Sequence, residues 1–198
     1  MISVEKKRFR DRANRAARDL VKEKETWGCI SDGSGKRYRV GVYLLLADEL
    51  DKARAAFDWF DDEFPDDSGE PVFHLYGALA SYRGGAMPKA RARLLRAMLS
   101  NIFLLPQLIG ENITAPDIWY SSNWQMEQYL LEIEQFLDEP TAEERKWIAS
   151  ELNSETFKVL RVGYENTYRA LLAERDLKKR GAILTSWRKL KTKHAAKL

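Results

Sequence analysis

The chain has 198 residues, a formal net charge of +3, 44% hydrophobic and 32% charged residues, which suits one domain able to bury a core without metals or disulfides. Its single cysteine, Cys29, excludes an internal disulfide, and its two histidines, His74 and His194, are too far apart in sequence for a zinc site of Cys and His. No run approaches the ~18 uninterrupted apolar residues of a membrane span, and no apolar run follows the basic N-terminus, so we expect a cytoplasmic protein without a secretory signal.

The small net charge hides a segregation. Residues 1–25 hold nine Lys/Arg against five Asp/Glu, and residues 175–198 hold nine Lys/Arg, Lys197 among them, against Asp176 alone. The middle is acidic: Asp58, Asp61, Asp62, Glu63, Asp66, Asp67 and Glu70 follow one another with no basic residue between. Such runs usually are solvated faces; the other reading is that the basic ends touch the acidic middle or an anionic partner.

In chain order, residues 4–24 predict a helix, because Phe9, Ala13, Ala16, Ala17 and Leu20 recur at spacings of three and four. Its small apolar stripe predicts close packing on a neighbour. Gly28 to Lys36 predicts a loop, broken by Asp32-Gly33-Ser34-Gly35. Gly33-Ser34-Gly35-Lys36 is a fragment of a phosphate loop, but the complete motif needs Ser or Thr after the Lys and a strand before it; Arg37 follows and no strand precedes. Four helices are predicted next, at about 36–50, 51–64, 71–83 and 88–100.

These four helices read as two copies of one helix–turn–helix unit. Val40-Gly41, Leu44, Ala53, Phe57 and Pro65 form the first; Phe73, Tyr76-Gly77, Ala90 and Leu94 the second. The spacing resembles the tetratricopeptide repeat (TPR), whose period is about 34 residues; here Gly41 and Gly77 are 36 apart. Small residues at Gly41, Gly77, Ala53 and Ala90 let helices cross closely, and Phe57 and Leu94, one turn on, fill the space beside them. Arg37 stands where an aromatic is usual, the second copy lacks the closing Pro, and its turn from Arg83 to Pro88 reads as about one residue long. The alternative is an ordinary helical bundle that uses Gly and Ala for packing.

Residues 101–174 predict a helical extension. Pro106 suits the first turn of a short helix and Gly110 its end. Ser122 with Gln125 predicts a capping box opening a helix through Leu137, with Met126, Tyr129, Leu130, Ile133 and Leu137 on one stripe. Pro140 stops that run. Thr141 with Glu144 is a second capping box before Trp147, Ile148 and Leu152, and Ser154 caps a long helix carrying Phe157, Leu160, Val162, Tyr164, Tyr168 and Leu172. Residues 175–198 form a basic C-terminal helix or tail. The order of Asn101, Pro106, Leu108, Ile109 and Gly110, then Glu127 and Tyr129, resembles bacterial TPR proteins related to the suppressor of tumorigenicity 7 family over residues 36 to 150. That resemblance implies an all-helical scaffold and supplies no catalytic residues. The expected fold is all-α: one domain over 1–198, with two TPR-like hairpins in 36–100 extended by further packed helices as an α-α superhelix.

No nucleophile stands with its base, and no cofactor or metal is expected; an enzyme is the least favoured class. In a TPR pair the first helices line a concave face. That face here carries Tyr38, Val42, Leu45, Leu46, His74, Ala78, Ser81 and Tyr82, an apolar and aromatic set without the Lys, Asn and Arg of the peptide-carboxylate clamp. Either the chain's own helices fill it as core, or a segment of another protein docks there. The expected function is a protein–protein interaction scaffold, of adaptor, immunity or antitoxin type. The alternative is a nucleic-acid-binding accessory protein whose Lys178, Lys179, Arg180, Arg188, Lys189 and Lys191 contact phosphates around Trp187.

Overall fold

The computed structural model describes residues 3–195; Lys197 and the rest of the chain's last three residues lie outside them. The described residues are all-helical: α1 (Ser3–Trp27), α2 (Lys36–Leu46), α3 (Leu50–Glu63), α4 (Pro71–Arg83), α5 (Met87–Ser100), α6 (Leu104–Leu108), α7 (Tyr129–Glu132), α8 (Glu134–Leu137), α9 (Ala142–Leu152), α10 (Glu155–Ala173) and α11 (Leu177–Ala195), with a 3-10 turn at Asn123–Gln125. Among them no helix is long and apolar enough to cross a membrane. They fall into two compact units, one up to Arg93 and one from Leu94.

In the first unit α1 lies on α2, and α2 and α3 both pack on α4. Ala13, Ala16 and Leu20 are buried along the inner face of α1, and Phe9 meets Tyr43 at 5.8 Å between ring centroids. Ion pairs flank that seam: Lys6 with Asp48 at 2.8 Å, Lys24 with Glu63 at 2.6 Å, and Arg10 with Glu49. Through Lys24 and Glu63 the basic N-terminal segment does touch the acidic middle. Helix α4 is buried from Pro71 through Ser81, so it has no polar face. Its Phe73 joins Phe57, Phe60 and Tyr38 in one aromatic cluster, with Phe60 closest at 4.4 Å.

The two hairpin turns are built alike. After α2, Asp48 adopts φ 66°, its N–H donates to Leu45 O, and the Glu49 N–H donates to Leu44 O. After α4, Gly85 adopts φ 73°, its N–H donates to Tyr82 O, and the Ala86 N–H donates to Ser81 O. Both are left-handed closures that satisfy the last carbonyls of a helix. The extra residue of the second copy therefore sits inside α4, not in the turn: five residues of α2 follow Gly41, whereas six of α4 follow Gly77.

In the second unit α9 packs on α6 and α10, and α10 packs on α11. The Thr141–Glu144 capping box forms with both of its hydrogen bonds, and Ser154 caps α10 through the Phe157 N–H. The expected continuous helix from Ser122 to Leu137 does not form. The Gln125 side chain accepts from the Ser121 N–H and hydroxyl instead of closing a box on Ser122. The Trp124 and Met126 carbonyls, which such a helix would use internally, accept from the buried Asn101 amide at 2.7 and 3.1 Å. The segment is a 3-10 turn followed by two short helices, α7 and α8.

Candidate functional site

Seven of the eight residues expected to line a groove are buried: Tyr38, Val42, Leu45, Leu46, His74, Ala78 and Ser81, with Tyr82 half-buried. His74 is held by a 2.6 Å hydrogen bond between Nε2 and Ser68 O, and the Ser81 hydroxyl donates to Gly77 O. These side chains are core of the first unit.

Around that core the structure pairs charges that the sequence showed only as a departure from the repeat, Arg37, and as members of an acidic run, Asp58, Asp61 and Asp67. Arg37, at the position where an aromatic was expected, lies over the Tyr38 ring at 4.4 Å and the Phe64 ring at 5.4 Å. Its Nε donates to Asp67 Oδ2 at 2.8 Å and its Nη2 to the Tyr38 hydroxyl at 2.7 Å. The Tyr38 hydroxyl donates to Asp67 at 2.8 Å, and the Gly69 N–H does so at 2.9 Å. Burial and the hydrogen bond to Asp67 push the Tyr38 hydroxyl up to about 12. Burial would raise Asp67, but the Gly69 N–H, the Tyr38 hydroxyl and Arg37 outweigh it and hold the carboxyl below its usual value. Two carboxylates of the acidic run, Asp58 and Asp61, meet buried Arg93 at 3.0 and 2.7 Å, and Arg93 lies over the Phe57 ring at 5.4 Å. Several residues of that run are therefore structural partners, not a solvated face.

The start of α2 shows what became of the phosphate-loop fragment. Asp32 Oδ1 accepts from the Lys36 N–H and Oδ2 from the Arg37 N–H, both at 2.8 Å, and its side chain is 1% exposed. The chain's own carboxylate holds the amides that a phosphate would need.

At the C-terminal helix, Lys178, Lys179, Arg188, Lys189 and Lys191 are exposed. Trp187 is not available beside them. It is buried, 6.1 Å from the Tyr164 ring, and a Cβ at Gly163 would stand 3.2 Å from it. Arg180 closes the end of α10 by donating to Leu171 O and Glu174 O, and it lies over the Trp119 ring at 4.8 Å. The basic residues thus remain on the surface while the aromatic expected to stack on a base is core.

The aromatics that do reach solvent in the second unit lie between α6 and α8. Trp119 and Trp124 are each 37% exposed, Met126 38% and Leu131 76%. Trp119 stacks on Tyr168 at 6.2 Å and its N–H donates to Tyr168 O at 3.1 Å. Asn101, fully buried, holds the backbone beneath: its amide donates to Trp124 O and Met126 O, and its Oδ1 accepts from the Phe103 and Leu104 N–H groups. Large apolar side chains are thereby presented from a fixed backbone. The signal in the sequence was Asn101 itself, an amide inside an apolar run; Trp124 lies in the stretch expected there to be helix. Among the described residues no group of three or more His, Cys, Asp and Glu is placed to hold a metal ion. Compared with models of known families, with curated proteins and with solved structures, the chain matches none.

Proposed function

We propose that the protein is a cytoplasmic protein–protein interaction scaffold of adaptor, immunity or antitoxin type, TPR-like in its hairpins, rather than an enzyme. Its recognition surface is the aromatic segment around Trp119, Trp124, Met126 and Leu131, in place of the groove on α2 and α4. The observation that supports this is the exposure of Trp124 and Met126 on a backbone held by buried Asn101, and of Trp119 on a backbone bonded to Tyr168 O. Trp carries a large share of binding energy at interfaces, and a pre-ordered segment loses little entropy on docking. The partner is another protein or a peptide segment; nucleic acid is secondary.

Affinity capture from source cells with the intact chain and with Trp119→Ala/Trp124→Ala tests this. The expected result is one stoichiometric partner that survives physiological salt with the intact chain and is lost with the variant, while circular dichroism stays helical. Equal capture by a well-folded variant overturns the assignment to this segment. Capture that vanishes with moderate salt points to an anionic partner instead.

A further inference from the structure

We propose that the outer face of α1 is a contact surface for single-stranded nucleic acid, with Trp27 at its end as the stacking residue. Three cations of α1, Lys6, Arg10 and Lys24, are tied to carboxylates of α2–α3. Lys7, Arg8, Arg12, Arg15, Arg18 and Lys22 are exposed instead. Arg8, Arg15 and Lys22 are seven residues apart, so they form one line down the helix, with Arg18 beside it. At ~1.5 Å per residue the span from Arg8 to Lys22 is about 21 Å, roughly one cation per 4–5 Å counting Arg12 and Arg18. That density approaches the one phosphate per ~3.4 Å of a nucleic-acid strand.

Two of the five acids of α1 have other partners. Asp19 pairs with Lys36 at 2.8 Å, and Glu23 accepts from the Ser31 and Asp32 N–H groups. Glu5, Asp11 and Glu25 are the exposed acids of α1. The line of cations ends at an open cleft of about 550 Å³ lined by Lys22, Trp27, Ser34 and Lys36 together with the carboxylates of Asp19, Glu23 and Asp32, each of which already has a partner on this chain. Trp27 is 75% exposed there, which a packing role does not explain. Cations that track a backbone beside an exposed aromatic are what a single strand with accessible base faces requires. An anionic lipid surface fits less well. The continuous apolar face of α1, Ala13, Ala16 and Leu20, is already buried, and its exposed Val4, Val21 and Trp27 are spread around the helix instead of forming one inserting face.

Fluorescence anisotropy of a labelled twenty-residue oligo-dT with the full chain tests the proposal at two salt concentrations. A duplex of equal length and vesicles containing phosphatidylserine serve as competing probes. The single strand should bind best, with a log–log salt slope of about −0.7 per phosphate neutralised. Arg15→Ala/Arg18→Ala should make that slope shallower by about 1.4, two contacts. Trp27→Ala should weaken binding on the order of tenfold with the slope unchanged. Arg188→Ala/Lys189→Ala, on α11, should change neither. All five positions are exposed, so each variant should keep the helical circular dichroism of the intact chain. Failure of oligo-dT to bind at low salt overturns the proposal. So does duplex or vesicle binding that matches the single strand, or a loss produced by the α11 variant and not by the α1 variants.

Discussion

The ring of Phe57 lies directly on the backbone of Gly41. A Cβ at position 41 would stand 2.9 to 3.0 Å from three of its carbons, and one at Gly77 would stand 3.3 Å from a fourth. One buried ring of α3 is thus keyed between the glycines of α2 and α4, which is why those positions carry no side chain. Gly41→Ala should destabilise by about 1–3 kcal/mol, since overpacking a rigid buried ring exceeds the helix-propensity gain of up to ~1 kcal/mol. Gly77→Leu, against both Phe57 and Arg93, should cost more. Urea midpoints measure both, and an unchanged midpoint for Gly41→Ala would remove this account of the crossing.

Gly181 is the contrasting case. It lies in α11 with no atom within 4 Å of a Cβ built there, and its φ is negative. Gly181→Ala should therefore stabilise by about 0.5–1 kcal/mol, the propensity difference alone. Thermal denaturation reads this as a higher midpoint; a lower one would show that the position is packed.

The Tyr38–Asp67 pair predicts stability that depends on pH at both extremes. Tyr38 keeps its proton up to about 12 when folded and loses it near 10 when unfolded. Between these values the folded state binds more protons, so stability falls as pH rises from 10 towards 12, by roughly 2–3 kcal/mol in all. The Asp67 carboxyl is held below 3.8, so its contribution is present above that value and is lost as pH falls through the lower folded one. Tyr38→Phe should flatten part of the alkaline loss. The remaining part belongs to Tyr120, Tyr164 and Tyr168, which burial also raises above the usual tyrosine range. Denaturation midpoints from pH 8 to 12 for both proteins decide this, and parallel curves would exclude Tyr38 as the titrating group.

Asn101 is fully buried with two donated and two accepted hydrogen bonds. Asn101→Ala should destabilise by about 2–4 kcal/mol, because buried backbone groups at both ends lose their partner. Hydrogen exchange should quicken across residues 119–131 more than in α9–α10. Asn101→Asp should not rescue, since a carboxylate accepts from the Phe103 and Leu104 amides but donates nothing to Trp124 O and Met126 O. Uniform exchange across the second unit would show that Asn101 does not hold this segment in particular.

The sequence by itself determined the helices that carry their own signals. The Ala and Leu spacing of α1, the Thr141–Glu144 box and the Ser154 cap are local, and local hydrogen bonds and periodicity dictate them wherever they occur. The notch formed by Gly41, Gly77 and Ala53 was legible too, because only small residues permit such a crossing. The tertiary structure decided the rest, through partners distant in the chain. Gln125 could have closed a box on Ser122, but Asn101 takes carbonyls more than twenty residues away and breaks the expected helix. Trp187 reads as a surface aromatic among lysines until α10 offers Gly163 as its seat. The eight residues of the expected groove have the right period for an exposed face and for a buried one alike. Periodicity shows which side chains share a face of a helix. Only the packing of α1, α2, α3 and α4 decides that this face is core, and that the side left to solvent is the basic outer face of α1.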